Sequence, residues 1–256
     1  VQDQKPPLAL LAVGMVNRTQ RRLVMRVAIV ENTEVTHLGQ VGVALAEAGA
    51  LIDIWRPWKD GGLPDQMGRY AGLVVLGGEQ SALDDHTHPY LPRLATLMRS
   101  YADQGGPLLG ICLGSQMLAR AYGARNRLGS AREFGWHHVT PTEEGRADPL
   151  LEGLDAGFPI FQWHSDTFDL PTGGTRLAAS GAVANQAFRV GRAAYGTQFH
   201  FEANRAVVQA WNRDFPDAVE ARHPGWLDAF SDISARHAPA ADATGLAIAR
   251  AWTRLL

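Results

Sequence analysis

Cysteine is nearly absent from this sequence: one residue, Cys112, in 256. That excludes an intrachain disulfide and points to a reducing compartment, so the expected location is the cytoplasm. Long hydrophobic runs are missing as well. The most signal-like stretch, Leu8 to Val16, falls far short of the ~20 apolar residues that span a bilayer. It is followed by Asn17, Arg18 and Gln20-Arg21-Arg22, where a secretory signal would place small residues for cleavage. No membrane partner is expected. Charge of one sign is missing too: 24 basic residues face 26 acidic ones, for a net charge of −2. Phosphate binding needs a clustered positive field, so nucleic acid is excluded as the main partner. The densest basic run, Arg18, Arg21, Arg22 and Arg26, lies near the start. No Gly-x-Gly-x-x-Gly pattern is present, so a dinucleotide is not implied and no cofactor is expected.

What is present is an ordinary globular composition, 46% apolar and 20% charged. Gly and Pro are too scattered for a linker protein. Residues 1–24 read as a disordered extension, and residues 25–256 as a single domain whose part from 203 to 256 is a helical tail packed on it. From Arg26 onward short β-branched runs alternate with helical patterns, the order that yields a parallel sheet covered by helices. Strands are expected at 27–30, 51–55, 72–76 and 108–111, with helices at 37–48, 90–101 and 113–121. Gly49 fits the C-cap of the first helix. Beyond Gly123 shorter runs at 136–140, 159–163, 176–179, 186–190 and 194–199 suggest a mixed or antiparallel extension of the same sheet. Helical patterns follow at 203–212, 226–236 and 243–255, interrupted by Pro216, Pro224 and Pro239. The fold class is therefore α/β: an open, mainly parallel twisted sheet with helices on both faces in flavodoxin-like layering, an antiparallel strand extension and a helical tail.

The chemistry concentrates at Leu109-Gly110-Ile111-Cys112-Leu113-Gly114-Ser115-Gln116, a buried strand meeting a helix with Gly-x-Cys-x-Gly at the junction. A nucleophile on such a turn sits in a strained backbone conformation, so small residues are needed two positions to either side, where neighbouring chains approach. The turn also sets the sulfur at a helix N-terminus, whose free N–H groups favour a thiolate. A lone cysteine is as often a small buried hydrophobe. A second element shifts the balance: His200-Phe201-Glu202 at the end of the last strand, where His200 and Glu202 of an extended chain point the same way. A carboxylate there can hold the imidazole in the tautomer that accepts a thiol proton.

These segments resemble the class I, triad-type glutamine amidotransferases, and among them the free-standing group similar to the glutaminase domain of GMP synthase. The matching motifs are Val75-Leu76-Gly77-Gly78, the Gly110 to Gln116 elbow, Tyr195-Gly196-Thr197-Gln198-Phe199-His200-Phe201-Glu202 and, more loosely, Gln162-Trp163-His164-Ser165-Asp166. The resemblance spans roughly Arg26 to Arg205. It implies Cys112 as nucleophile, His200 as general base and acid, and Glu202 as its orienting partner. It also implies an oxyanion hole from the N–H groups of Gly78 and Leu113, a geometry that the elbow itself suggests. Gln116 matches a position that contacts bound glutamine, and Trp163, His164 and Ser165 belong to the stretch whose backbone holds the amino-acid end of the substrate. The implied reaction is cysteine-dependent hydrolysis of the γ-amide of glutamine or a γ-glutamyl compound through a γ-glutamyl thioester. No Gly-x-x-x-x-Gly-Lys loop is present, so any acceptor chemistry is expected on a separate synthetase chain. Alternatives are a stand-alone γ-glutamyl peptide hydrolase or transferase, and a catalytically silent regulatory or binding subunit on the same fold.

Two positions depart from the family pattern: Glu79 and Phe201 stand where Pro is usual. Both positions shape backbone, so the departures touch the choice of substrate more than the chemistry. Asp84-Asp85-His86-Thr87-His88 has residue types that bind divalent metals, yet no partner set follows it, and it reads as a polar loop. His137 and His138 would point to opposite faces of a strand and cannot share an ion. No metal site is expected. Trp211, Trp226 and Trp252 are expected to pack the tail on the core.

Overall fold

The computed structural model describes residues 25–154 and 156–256; the expectations for residues 1–24 lie outside the described residues. The described strands are β1 (Arg26–Val30), β2 (Leu51–Trp55), β3 (Gly72–Val75), β4 (Leu108–Ile111), β5 (Asn126–Arg127), β6 (Glu133–Pro141), β7 (Phe158–His164), β8 (Thr167–Phe168), β9 (Gly174–Ser180), β10 (Ala187–Val190) and β11 (Ala194–Thr197). Nine of them form one sheet in the order β2-β1-β3-β4-β11-β10-β9-β6-β7, while β5 and β8 pair separately. From β2 to β11 every pairing is parallel. From β11 to β7 every pairing is antiparallel. The expected parallel sheet with an antiparallel extension is therefore the observed architecture.

Both faces of the parallel half are covered, which explains why its central strands read as unbroken apolar runs instead of alternating ones. Along β1, Val27 and Ile29 face one cluster with Val41 and Leu45 of α1 (Gly39–Glu47) and with Ile248 and Trp252 of α8 (Trp226–Thr253). Ala28 and Val30 face the other, with Leu94 and Met98 of α3 (Leu91–Asp103) and Met117 and Leu118 of α4 (Leu113–Ala121). Two short helices, α2 (Pro57–Asp60) and α5 (Glu143–Arg146), cap loops. Among the described residues no helix is long and apolar enough to cross a membrane.

The tail differs from expectation in two ways. The patterns at 226–236 and 243–255 are one helix of 28 residues, α8, that runs through Pro239. Burial of Ala238, Ala241, Gly245, Ile248 and Trp252 against the molecule outweighs the loss of one backbone hydrogen bond at the proline. Pro216 does not break a helix but starts one, α7 (Pro216–Arg222), directly after α6 (Arg205–Asp214). Proline suits the first helical turn because its missing N–H would have no partner there. Trp252, Trp226 and Trp211 are all buried, as expected of residues that dock the tail.

Candidate active site

In a parallel sheet, ligands collect beyond the carboxyl ends of the strands, where the order of connection reverses. Here β1 has β2 on one side and β3 on the other, and a cavity of about 480 Å³ opens beside that point. Its lining comes from the loop after β1 (Thr33, Thr36, His37), the turn after β3 (Gly77, Gly78, Glu79), the elbow after β4 (Cys112, Leu113, Gln116) and the loop after β11 (His200, Glu202). Residues Trp163, His164, Ser165 and Asp166 close one wall. Phe215, Ala218 and Arg222 from the tail close another.

The elbow has the anticipated strain. Cys112 lies at φ 51° and ψ −107° and is the only non-glycine residue with positive φ among the described residues. It stays there because both ends of the turn are fixed: its N–H donates to the Thr197 carbonyl at 2.8 Å, and its own carbonyl accepts from the amides of Ser115 (2.9 Å) and Gln116 (3.1 Å) at the start of α4. The flanking glycines are steric necessities. A Cβ on Gly114 would overlap the Val75 carbonyl, and one on Gly110 would overlap the Gly114 backbone. Cys112 itself is 7% exposed, so its sulfur reaches the cavity through a narrow face.

His200 and Glu202 are both buried, and Nδ1 of His200 lies 2.6 Å from Oε1 of Glu202. The His200 amide donates to the Phe161 carbonyl at 2.8 Å, anchoring the loop on the antiparallel half of the sheet. The Trp211 ring stands edge-on to the imidazole, 5.2 Å between centroids. Burial alone pushes the His200 ring toward neutrality, but the Glu202 carboxylate and the Cys112 sulfur outweigh it and hold its pKa well above the ordinary histidine value. A protonated ring between a carboxylate and a sulfur is the state in which a thiolate is stabilised. The N–H groups of Gly78 and Leu113 make no hydrogen bond among the described residues, and both residues line the cavity.

Of the sequence-derived site residues, the structure brings Cys112, His200, Glu202, Gly78, Leu113, Gln116, Trp163, His164 and Ser165 to one cavity. Gln116 turns its side chain toward Gln198 (3.3 Å) and the Asp166 carbonyl (3.4 Å). The His164 ring is occupied by bonds behind the wall rather than turned wholly to the cavity. Two contributions escaped the sequence reading. Gln198 sets its amide 3.6 Å from the Cys112 sulfur, although it stands within the quoted Tyr195 to Glu202 motif. Phe215 and Arg222 come from the tail, which no local motif connects to the elbow. The Asp84 to His88 loop behaves as a polar loop: Asp84 accepts from the Ser81 amide, and Asp85 takes a two-bonded contact from Arg120. No cluster of three metal-ligating side chains occurs among the described residues.

The sequence matches the family described as glutamine amidotransferase class-I over residues 43–209, which include Cys112, His200 and Glu202. The chain belongs to the class-I glutamine amidotransferase family. It is 30% identical over 183 residues to the glutamine amidotransferase-like protein YfeJ of Salmonella typhimurium, covering 69% of this chain and 77% of that one. It is 33% identical over 142 residues to the glutamine-hydrolyzing GMP synthase of Porphyromonas gingivalis, covering 55% of this chain but only 26% of that enzyme. The chain thus matches about a quarter of such a synthase. Among solved structures, a glutamine amidotransferase from Thermotoga maritima superposes with a TM-score of 0.80 at 28% identity, over 90% of this chain and 97% of that one. One from Methylobacillus flagellatus gives 0.80 at 27% identity, over 91% and 96%. Membership of this family carries glutamine amide chemistry in general.

Proposed function

We propose that the chain hydrolyses the γ-amide of glutamine or of a γ-glutamyl compound through a Cys112 thioester. The observation that carries this reading is the buried 2.6 Å contact between His200 and Glu202 facing a strained Cys112 across one cavity. The Cys112 thiolate attacks the γ-carbonyl carbon, and the oxyanion that forms is received by the free N–H groups of Gly78 and Leu113. His200, held protonated by Glu202, gives its proton to the departing nitrogen as the carbon–nitrogen bond breaks. The amine leaves, and a γ-glutamyl thioester remains on Cys112. His200, now neutral, takes a proton from water as the water attacks the thioester. Glutamate then leaves, and the thiolate–imidazolium pair is restored. Gln116 and residues 163–166 supply the wall against which the amino-acid end of the substrate rests.

Two physiological settings fit this chemistry. In the first, ammonia passes to a synthetase on another chain, a reading supported by similarity to one part of GMP synthases. In the second, the chain acts alone on γ-glutamyl amides. The cavity volume falls within the range of pockets that take drug-sized molecules, and Trp163, Trp211 and Phe215 give it an aromatic lining. The single cysteine suits work in the cytoplasm. The deciding experiment is incubation of the purified protein with glutamine and a panel of γ-glutamyl amides while assaying ammonia or amine and glutamate. Release of glutamate from at least one of them, abolished in Cys112→Ala, is expected. A folded wild-type protein that releases none and is not labelled at Cys112 by a glutamine-like diazoketone would leave the silent-subunit reading in its place.

A further inference from the structure

Behind the substrate wall lies a second buried carboxylate–histidine pair that the proposed chemistry does not use. Glu133 opens β6 and His164 closes β7, directly opposite in register. Their side chains are 4% and 1% exposed. Glu133 is an acceptor on every side: His164 Nε2 at 3.2 Å, Ser180 Oγ at 2.8 Å and Gln186 Nε2 at 2.5 Å. The Gln186 amide nitrogen can only donate, so Oε2 of Glu133 accepts there. Burial pushes the Glu133 carboxyl up, but the bonds from His164 and Ser180 bring it below the usual glutamate value. At the other end of the ring, His164 Nδ1 lies 3.0 Å from the Asp166 carbonyl, which can only accept. The ring is thus hydrogen-bonded at both nitrogens.

We infer that His164, bonded at one ring nitrogen to Glu133 and at the other to the Asp166 carbonyl, fixes residues 163–166 as the wall that binds the glutamyl end of the substrate. The inference rests on the reading of that wall given under Proposed function. The segment is tied at each residue. Trp163 pairs with Phe134 in the β6–β7 ladder, and the Ser165 carbonyl accepts from the Ala131 amide at 2.9 Å. The Asp166 carbonyl also receives the Gln116 amide, and its carboxylate receives the Gly129 N–H at 2.7 Å. His164 is the member whose side chain links this segment to the interior of the sheet. Gln186 is itself held by Gln162 at 3.1 Å, which extends the buried network. Such a network rigidifies the backbone it joins when its members are bonded to one another. Glu133 and His164 are thus positioning residues, acting on substrate through the backbone they hold.

In the test, glutamine binding is measured calorimetrically on Cys112→Ala and on the double variant Cys112→Ala/Glu133→Gln, beside steady-state kinetics of Glu133→Gln alone. The expected result is a Kd and KM about tenfold higher with kcat within about threefold. Unchanged affinity, or a fall confined to kcat, overturns the positioning role. Should Glu133→Gln fail to fold, Ser180→Ala, which removes one donor to the carboxylate, is expected to raise KM about threefold, and an unaltered KM counts against the role. Glutamate release by the wild type reports on the proposed activity alone, so failure of that reading is distinguishable from an affinity that Glu133→Gln leaves unchanged.

Discussion

The carbonyl oxygen of Phe201 lies against the α-carbon of Gly245, closer than any side chain on α8 would permit. Phe201 stands between His200 and Glu202, so the tail helix touches the backbone of the loop that carries both. The same part of α8 reaches further. Asp242 accepts the Arg205 amide at the start of α6, and its carbonyl receives the Gln40 side chain at 3.0 Å. Gln40 in turn donates its amide to the Glu202 carbonyl at 2.9 Å. The tail is therefore a clamp on the candidate site as well as a cover for the sheet.

Replacing Gly245 by Ala places a methyl group where the Phe201 carbonyl now sits. The expected outcome is a folded protein with kcat lowered about tenfold, because a misplacement of ~1 Å at a reacting group costs far more in rate than in stability. Circular dichroism and steady-state kinetics on the same preparation check this. An unchanged kcat would show that the loop tolerates displacement by the tail.

Glu202→Gln is expected to reduce kcat far less than Cys112→Ala or His200→Ala while leaving KM within about twofold. In the proposed mechanism the carboxylate orients His200 and stabilises its charge, but it neither bonds to substrate nor carries the reacting proton. Cysteine is also a good nucleophile at its own pKa, which softens the loss relative to a serine enzyme. Kinetics of the three variants on the best glutamyl substrate decide it. If Glu202→Gln were as inactive as Cys112→Ala, a direct chemical role would have to be assigned to the carboxylate.

The raised pKa of His200 has a consequence for stability. A histidine whose folded value exceeds its unfolded value of about 6.5 contributes stability that is complete below that pH and declines as pH climbs toward the folded value. Urea unfolding between pH 6 and 9 should show the wild type losing stability relative to His200→Gln as pH rises. In Cys112→Ala the sulfur's share is gone, so the decline should level off at a lower pH. A difference between wild type and His200→Gln that does not vary with pH would contradict the charge-stabilised pair.

Gly114→Ala tests the elbow from its far side. The added methyl meets the Val75 carbonyl, a backbone atom that cannot rotate away. Destabilisation of about 3 kcal/mol is expected from such overpacking, measured as a fall in urea midpoint without a change in slope.

Much of this was legible in the residues themselves. Leu108–Ile111 and Leu113–Ala121 have the bounds the sequence pattern suggests, because Gly106-Pro107 and Gly123 stop the chain sharply on either side. Cys112, His200 and Glu202 were visible because a strand-to-helix turn and a His-x-Glu triplet are local patterns. The tail was not: Pro239 is a local breaker, and only the burial of one face of α8 against the sheet overrides it. Arg222 and Phe215 reach the cavity through tertiary packing, which no spacing along the chain encodes. The bonds around Glu133 likewise join three strands, β6, β7 and β9, and the residue before β10, through Glu133, Ser180 and Gln186, which no local motif connects to His164.

At φ 51° and ψ −107°, position 112 is a place where the backbone would be more comfortable with glycine. Cys112→Gly should therefore unfold at a higher denaturant concentration than Cys112→Ala while having no turnover. Directed evolution for heat resistance alone, with no activity screen, would be free to discard the sulfur at this site. The elbow is thus a point where fitness for folding and fitness for chemistry diverge, and any stabilised version of this chain has to be selected on both.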